Sequence, residues 1–183
     1  MHYNPKTHHR RSIRLQGYDY SRSGAYFVTV CAYNKECLFG EIVDGKMVLN
    51  EYGNIILREW MRTPVIRMEM SIDEFVIMPN HIHGIVCITN IGANSRSPLR
   101  EPRINMGHKT LASFIAGFKS ITTKQINQIR NMPGVPVWQR NYYEHVVRDV
   151  GANGGSPKLD AIRQYIQSNP GQWNNDENYV ANA

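Results

Sequence analysis

Apolar positions recur along this chain in two rhythms, one of two residues and one of three to four, and each rhythm predicts an element. Residues 25–33, AYFVTVCAY, are dense in β-branched and aromatic types and predict a buried strand. FGEIVDGKMVLN then sets the Asp44-Gly45 pair between two apolar runs, the pattern of a tight hairpin. In NEYGNIILREWMR, Ile55, Ile56, Glu59 and Trp60 fall at helical spacing, and Asn50 stands where a cap is needed. SIDEFVIM over 71–78 predicts a second core strand, which the Pro79-Asn80 turn sends back through HIHGIVCIT as a hairpin partner.

From Asn90 to about His108 the composition changes to Asn, Ser, Arg, Pro and Gly, and a mobile loop is expected over about 90–108. An amphipathic helix follows, carrying Leu111, Phe114, Ile115, Phe118, Ile121 and Ile126. VPVWQRNYYEHVVRD predicts a strand with an aromatic approach, VGANGGSPK a glycine linker, and LDAIRQYIQSNP a short helix stopped by Pro170. Strand, hairpin, helix, two strands, helix, strand, helix is an α+β order without strict alternation. It fits a ferredoxin-like antiparallel sheet with helices packed on one face.

Length and charge narrow the function classes. The 183 residues suffice for one domain, expected over 15–173 between a basic N-terminal tail, 1–14, and a C-terminal tail, 174–183. An apolar fraction of 42% is that of a globular protein. No run of about eighteen apolar residues is present and the start is polar, so no membrane association and a cytoplasmic home are expected. Cys31, Cys37 and Cys87 are an odd count without CxxC spacing, which suits a reducing compartment better than a disulfide framework. The net charge of +6 favours a polyanionic partner. Arg10, Arg11 and Arg14 concentrate it at the start, and Lys119, Lys124 and Arg130 form a second basic set in the long helix.

The candidate chemistry lies in PNHIHGIV, residues 79–86. Side chains alternate along a strand, so His81 and His83 project from one face while Ile82 goes to the other. Two imidazoles on a rigid support suit a metal ion, and equally suit a pair of half-buried structural histidines. In the last helix, Leu159, Ile162 and Ile166 form the apolar stripe, with Tyr165 and Asn169 on its shoulder, one turn apart. Packed on the sheet by that stripe, the helix would carry a phenol and an amide oxygen to the sheet edge. An amide oxygen serves a hard cation such as Mg²⁺, and imidazole serves Mn²⁺. The plain alternative is a tyrosine completing the core and an asparagine ending a helix before proline.

MPNHIHGIV, VWQRNYYEHVVRD and YIQSNPGQW, in that order, resemble the REP-associated tyrosine transposases, members of the single-tyrosine HUH (His-hydrophobe-His) transposases. The resemblance runs from about Arg14 to Trp173, and the loop 90–108 has no match in it. It implies that His81, His83 and Asn169 hold a divalent metal, Mg²⁺ or Mn²⁺, and that Tyr165 on the C-terminal helix is the nucleophile. The implied activity cleaves and rejoins hairpin-bearing single-stranded DNA through a 5′-phosphotyrosine intermediate. Arg10, Arg11, Arg14, Lys119 and Arg148 are the expected phosphate contacts. Tyr142 and Tyr143 are rival nucleophiles whose context reads first as packing, and His145 reads first as structural. Two further functions stay open: a DNA-binding module of the same fold without catalysis, and a metal-dependent phosphodiesterase in which water attacks. Monomer and homodimer stay open as well.

Overall fold

The computed structural model describes residues 23–89, 110–147 and 157–180. The basic tail with Arg10, Arg11 and Arg14, the loop 90–108, Arg148 and the glycine linker lie outside the described residues. Strand β1 (Gly24–Cys31) leads through a 3-10 turn into the hairpin β2 (Gly40–Val43) and β3 (Lys46–Leu49), then helix α1 (Glu51–Met61) and the short α2 (Thr63–Ile66). The hairpin β4 (Met70–Met78) and β5 (His81–Ile88), helix α3 (Leu111–Ile129), strand β6 (Tyr143–Val147) and helix α4 (Pro157–Ser168) complete the order. A 3-10 segment, Pro170–Asn175, follows α4. The main sheet runs β4-β5-β1-β6, with every neighbouring pair antiparallel. That is the expected ferredoxin-like arrangement, with the β2–β3 hairpin inserted into its first crossover.

The local signals act where they were read. Asp44 and Gly45 both take positive φ, as a two-residue turn closing β2 onto β3 requires. The Asn50 side chain accepts from Gly53 N at 3.0 Å and starts α1. Thr110 and Ser113 form a capping box at the head of α3. The aromatic approach at 137–142 is not strand: Trp138 makes only an isolated bridge to Ala32, and the ladder begins at Tyr143. Ile121 is exposed, since the buried stripe of α3 runs through Leu111, Phe114, Ile115, Phe118 and Ile126.

One expectation is corrected. The helices do not share a face of the sheet. Trp60, Ile56, Phe114 and Phe118 of α1 and α3 pack with Tyr26, Val28, Val30, Ile82 and Val86. Leu159 and Ile166 of α4 pack on the opposite face, with Ala25, Ile85 and Val147. The reason is the alternation of β1 and β5: each strand carries apolar residues at both parities, so both faces need cover.

Between Ile72 and Phe75 strand β4 bulges, and both residues still point into the α1/α3 core although they are three apart. Asp73 and Glu74, within the bulge, meet α4. Arg163 donates Nε to Asp73 Oδ1 at 3.0 Å and Nη2 to Oδ2 at 2.6 Å, and Gln167 donates to Glu74 at 2.9 Å. The two-pronged pair fixes the position of α4 on the sheet.

Gly84 of β5 lies under Trp60. A Cβ placed there would come within 2.6 Å of Trp60 Cζ2 and 3.3 Å of Phe75 Cβ. Gly84→Ala should therefore cost about 1–3 kcal/mol in chemical denaturation, as overpacking does. Trp60→Leu combined with it should recover part of that loss. An alanine variant as stable as the parent would show that the indole does not press on this strand.

Candidate active site

Strand β5 is hydrogen-bonded on both sides, to β4 and to β1, so its histidines stand on an internal strand held from both edges. His81 and His83 are both buried on the α4 face, with ring centroids 4.4 Å apart. Each ring is oriented through Nδ1. His83 Nδ1 meets Thr29 Oγ1 of β1 at 2.8 Å, and His81 Nδ1 meets Asn80 Oδ1 at 2.8 Å.

Asn80 also determines the tautomer of His81. Its amide nitrogen donates to Lys35 O at 3.0 Å and to Asn178 O at 2.8 Å, which leaves its oxygen as the acceptor toward the ring. His81 Nδ1 therefore carries the proton and Nε2 presents a lone pair. Burial, then the neighbouring His83, push the His81 pKa down to about 3, so the ring is neutral at ordinary pH. A neutral imidazole with a bare Nε2 is the form that ligates a metal.

Sequence reasoning missed Asp176. It follows the 3-10 segment after α4, in the stretch expected to be a tail, and its Oδ2 lies 3.9 Å from His81 Nε2 and 3.8 Å from His83 Nε2. Several hydrogen bonds bring it there: Asp176 Oδ1 accepts from Asn178 N at 2.6 Å, Asn178 O accepts from Asn80, and Glu177 O accepts from Lys35 Nζ at 3.0 Å. Burial opposes ionisation of Asp176, but the neighbouring His83 and the hydrogen bonds from Asn169 and Asn178 N outweigh it and hold the carboxyl well below the usual range. No spacing rule links Asp176 to the histidines, because a proline-started 3-10 segment separates it from α4.

Asn169 is buried beside this group, its amide nitrogen donating to Asp176 Oδ2 at 3.0 Å. Tyr165 is 45% exposed, and its hydroxyl lies 3.3 Å from His83 Nε2. Burial, with the carboxylates of Asp176 and Glu177, raises its pKa above the ordinary tyrosine value, so the phenol keeps its proton. The structure thus brings together His81, His83, Asn169 and Tyr165, and adds Asp176, Asn80 and Thr29.

Among the described residues, His81, His83 and Asp176 are the group whose ligand atoms, within 4.8 Å of one another, could hold a metal ion. The donor chemistry fits one. His81 Nε2, 3.9 Å from an ionised carboxylate, and Asn169 Oδ1 are buried acceptors that have no hydrogen-bond partner among the described residues. Acceptors facing an anion are short of positive charge.

Other predicted residues stand elsewhere. Lys119 donates from Nζ to Gln139 O and Asn141 O, both at 2.8 Å, and burial lowers its pKa to about 8. Arg130 caps α3 and bonds to Asn127 Oδ1 at 2.8 Å and to Val135 O at 3.1 Å. Tyr142 packs against the main core, whereas Tyr143 is 44% exposed beside the site, and His145 is exposed on the same strand. The three cysteines are free thiols. Among the described residues no helix is long and apolar enough to cross a membrane.

Comparison with known proteins finds the same fold elsewhere. A solved REP-associated tyrosine transposase bound to a REP hairpin shares the fold, with a TM-score of 0.51 and 18% identity, covering 86% of this chain and 72% of that one. At that identity the likeness is one of fold. No family model matches the chain. An uncharacterised protein of Haemophilus influenzae (strain Rd) is 42% identical over 183 residues, 97% of each chain, and this chain belongs to one family with it.

Calorimetric titration of the full chain with Mn²⁺ should find one site. His81→Ala and His83→Ala should each abolish it, and Asp176→Asn, which removes the only formal charge of the cluster, should weaken it roughly ten-fold or more. Unchanged Mn²⁺ affinity in Asp176→Asn would remove that carboxylate from the ligand set.

Proposed function

We propose that this protein is a metal-dependent tyrosine transposase that cleaves and rejoins single-stranded DNA bearing a hairpin. The observation that carries the reading is the position of Tyr165: its hydroxyl lies against His83 Nε2 at the rim of the cluster, and the residue is about half exposed to solvent. The solved transposase of the same fold was bound to a REP hairpin, which supports a DNA hairpin as partner here. The net charge of +6 points the same way, with Arg10, Arg11, Arg14 and Arg148 as phosphate contacts and Lys119 a weaker candidate, since two of its donors are engaged.

His81, His83 and Asp176 would hold Mg²⁺ or Mn²⁺, with the Asn169 oxygen beside them. A divalent ion there supplies Lewis acidity to a phosphate oxygen and offsets charge as it develops. The chain's own residues do the rest. Asn80 and Thr29 hold both imidazoles with Nε2 inward. The Arg163–Asp73 pair holds α4, and with it Tyr165, at a set height over the sheet. Tyr165 Oη attacks phosphorus, its proton passing to solvent; the Oη–P bond forms as the P–O3′ bond breaks. The products are a 5′-phosphotyrosine and a 3′-hydroxyl that takes up a proton. One phosphodiester replaces another, so the reverse attack by a 3′-hydroxyl rejoins DNA without a nucleotide cofactor.

Incubation of the full chain with Mn²⁺ and a pool of hairpin-bearing single strands should yield a protein–DNA adduct that survives denaturing electrophoresis. Tyr165→Phe should lose the adduct entirely and keep DNA binding within about two-fold, since only one hydroxyl is removed. Tyr142→Phe and Tyr143→Phe should still form it, and chelation should stop it. Strand cleavage without adduct would favour attack by water. Adduct at normal yield from Tyr165→Phe would overturn the assignment of the nucleophile.

A further inference from the structure

Next to Tyr165 the α4 face of the sheet is left open toward β6, and a cleft of about 590 Å³ occupies that space. The volume lies within the roughly 300–1,000 Å³ of small-molecule sites. Phe27, half-buried at its base, stacks on His83 with centroids 5.4 Å apart and 24° between planes. Tyr143 and Tyr165 stand steeply to the Phe27 ring, at 6.3 Å and 69° and at 6.1 Å and 77°, and both are about half exposed. Gln139, Asn141 and Glu177 are among the polar residues of the lining, with Thr29, His83 and Asn178.

A single exposed tyrosine on an edge strand is ordinary. Here, however, two exposed phenol rings and one phenylalanine converge on a concave surface that contains the candidate nucleophile. The register explains the convergence: Tyr143 pairs with Thr29 across β1 and β6, so it shares a face with Phe27 and with the histidines on the next strand. Resting on the proposal that Tyr165 attacks single-stranded DNA, we infer that Phe27 and Tyr143 form a stacking pocket for one unpaired nucleobase beside the scissile phosphate.

Three features select a base over a phosphate for this pocket. Aromatic faces attract the π-face of any base and give a charged phosphate nothing. The Glu177 carboxylate repels an anion but accepts from exocyclic amino groups. The amides of Gln139 and Asn141 offer both donors and acceptors to a base edge. Their backbone carbonyls both accept from the Lys119 ammonium, so this lip of the cleft is held in place. Holding the neighbouring base would place the phosphate next to Tyr165, which makes Tyr143 a positioning residue rather than a catalytic one.

The test measures binding of fluorescein-labelled dT12 to the full chain at low salt with EDTA, so that no strand is cut. Tyr143→Leu should weaken binding about ten-fold, in the range one stacked base contributes. Tyr143→Trp, which keeps an aromatic face, should bind within two-fold of the parent, and dT12 should quench its emission more than that of the parent protein. A dodecamer of abasic sites should bind parent and Tyr143→Leu alike, because only phosphates remain. Equal dT12 affinity in Tyr143→Leu, with no added quenching in Tyr143→Trp, would overturn the pocket. If the parent protein still forms the Tyr165 adduct in that case, the strand-transfer reading survives it. Absence of adduct with intact Tyr143-dependent binding would instead overturn strand transfer and leave the pocket standing.

Discussion

The site hangs on the two-residue period of β5. One strand, paired on both sides, sends Ile82, Val86 and Ile88 into the α1/α3 core and His81, His83 and Ile85 to the face under α4. The apolar set cannot leave its core without exposing buried area, and a one-residue slip would exchange the two faces entirely. Register and imidazole placement are thus one constraint. Gly84 belongs to it too: between the apolar positions of the core-facing set it leaves room for the Trp60 indole, which locks α1 down on the strand.

On the other face the polar groups are arranged to be incomplete by themselves. Asn80 spends its amide protons on two backbone carbonyls, so its oxygen must take the His81 proton and leave Nε2 bare. Asp176 is ionised despite burial, and Asn169, which donates to it, has a buried oxygen with no partner among the described residues. Inside a protein, acceptors grouped with an anion carry an electrostatic cost that a cation removes. The same carboxylate adds to burial in raising the Tyr165 pKa. Charge brought into the cluster therefore bears on both the ligand set and the nucleophile.

The C-terminal helix is attached differently from the other two long helices. Its apolar contacts form a small cluster of their own, and the bulge in β4 supplies two carboxylates that reach Arg163 and Gln167. Alternation from Ile72 turns Asp73 toward α4, and the extra residue of the bulge lets Glu74 meet α4 as well while Phe75 returns to the main core. A small apolar seam with a directional ion pair fixes where the helix lies more by orientation than by buried area. Tyr165 inherits its height over the sheet from that pair.

The alternation in HIHGIV was enough to place both histidines on one face, because a strand has a period of two whatever surrounds it. The helix stripes, the Asp44-Gly45 turn, the Asn50 cap and the ferredoxin-like order were legible for the same reason: each depends on residues near one another in the chain. Tyr165 and Asn169 could be placed on one helix shoulder, and the resemblance to HUH transposases suggested what they do. Three things were beyond local reading. Asp176 reaches the histidines only because Asn80 and Lys35, about a hundred residues away or more, bind the backbone at 177 and 178. The face that α4 covers follows from which side of the sheet α1 and α3 had already filled. The cleft between Phe27, Tyr143 and Tyr165 joins three elements whose only link is the register of β1 with β6 and the seating of α4. The sequence by itself determined the periodicities, and so the elements and the histidine pair. The tertiary structure alone decided the third acidic partner and the shape of the cavity, since both come from long-range hydrogen bonds and packing that carry no spacing signature.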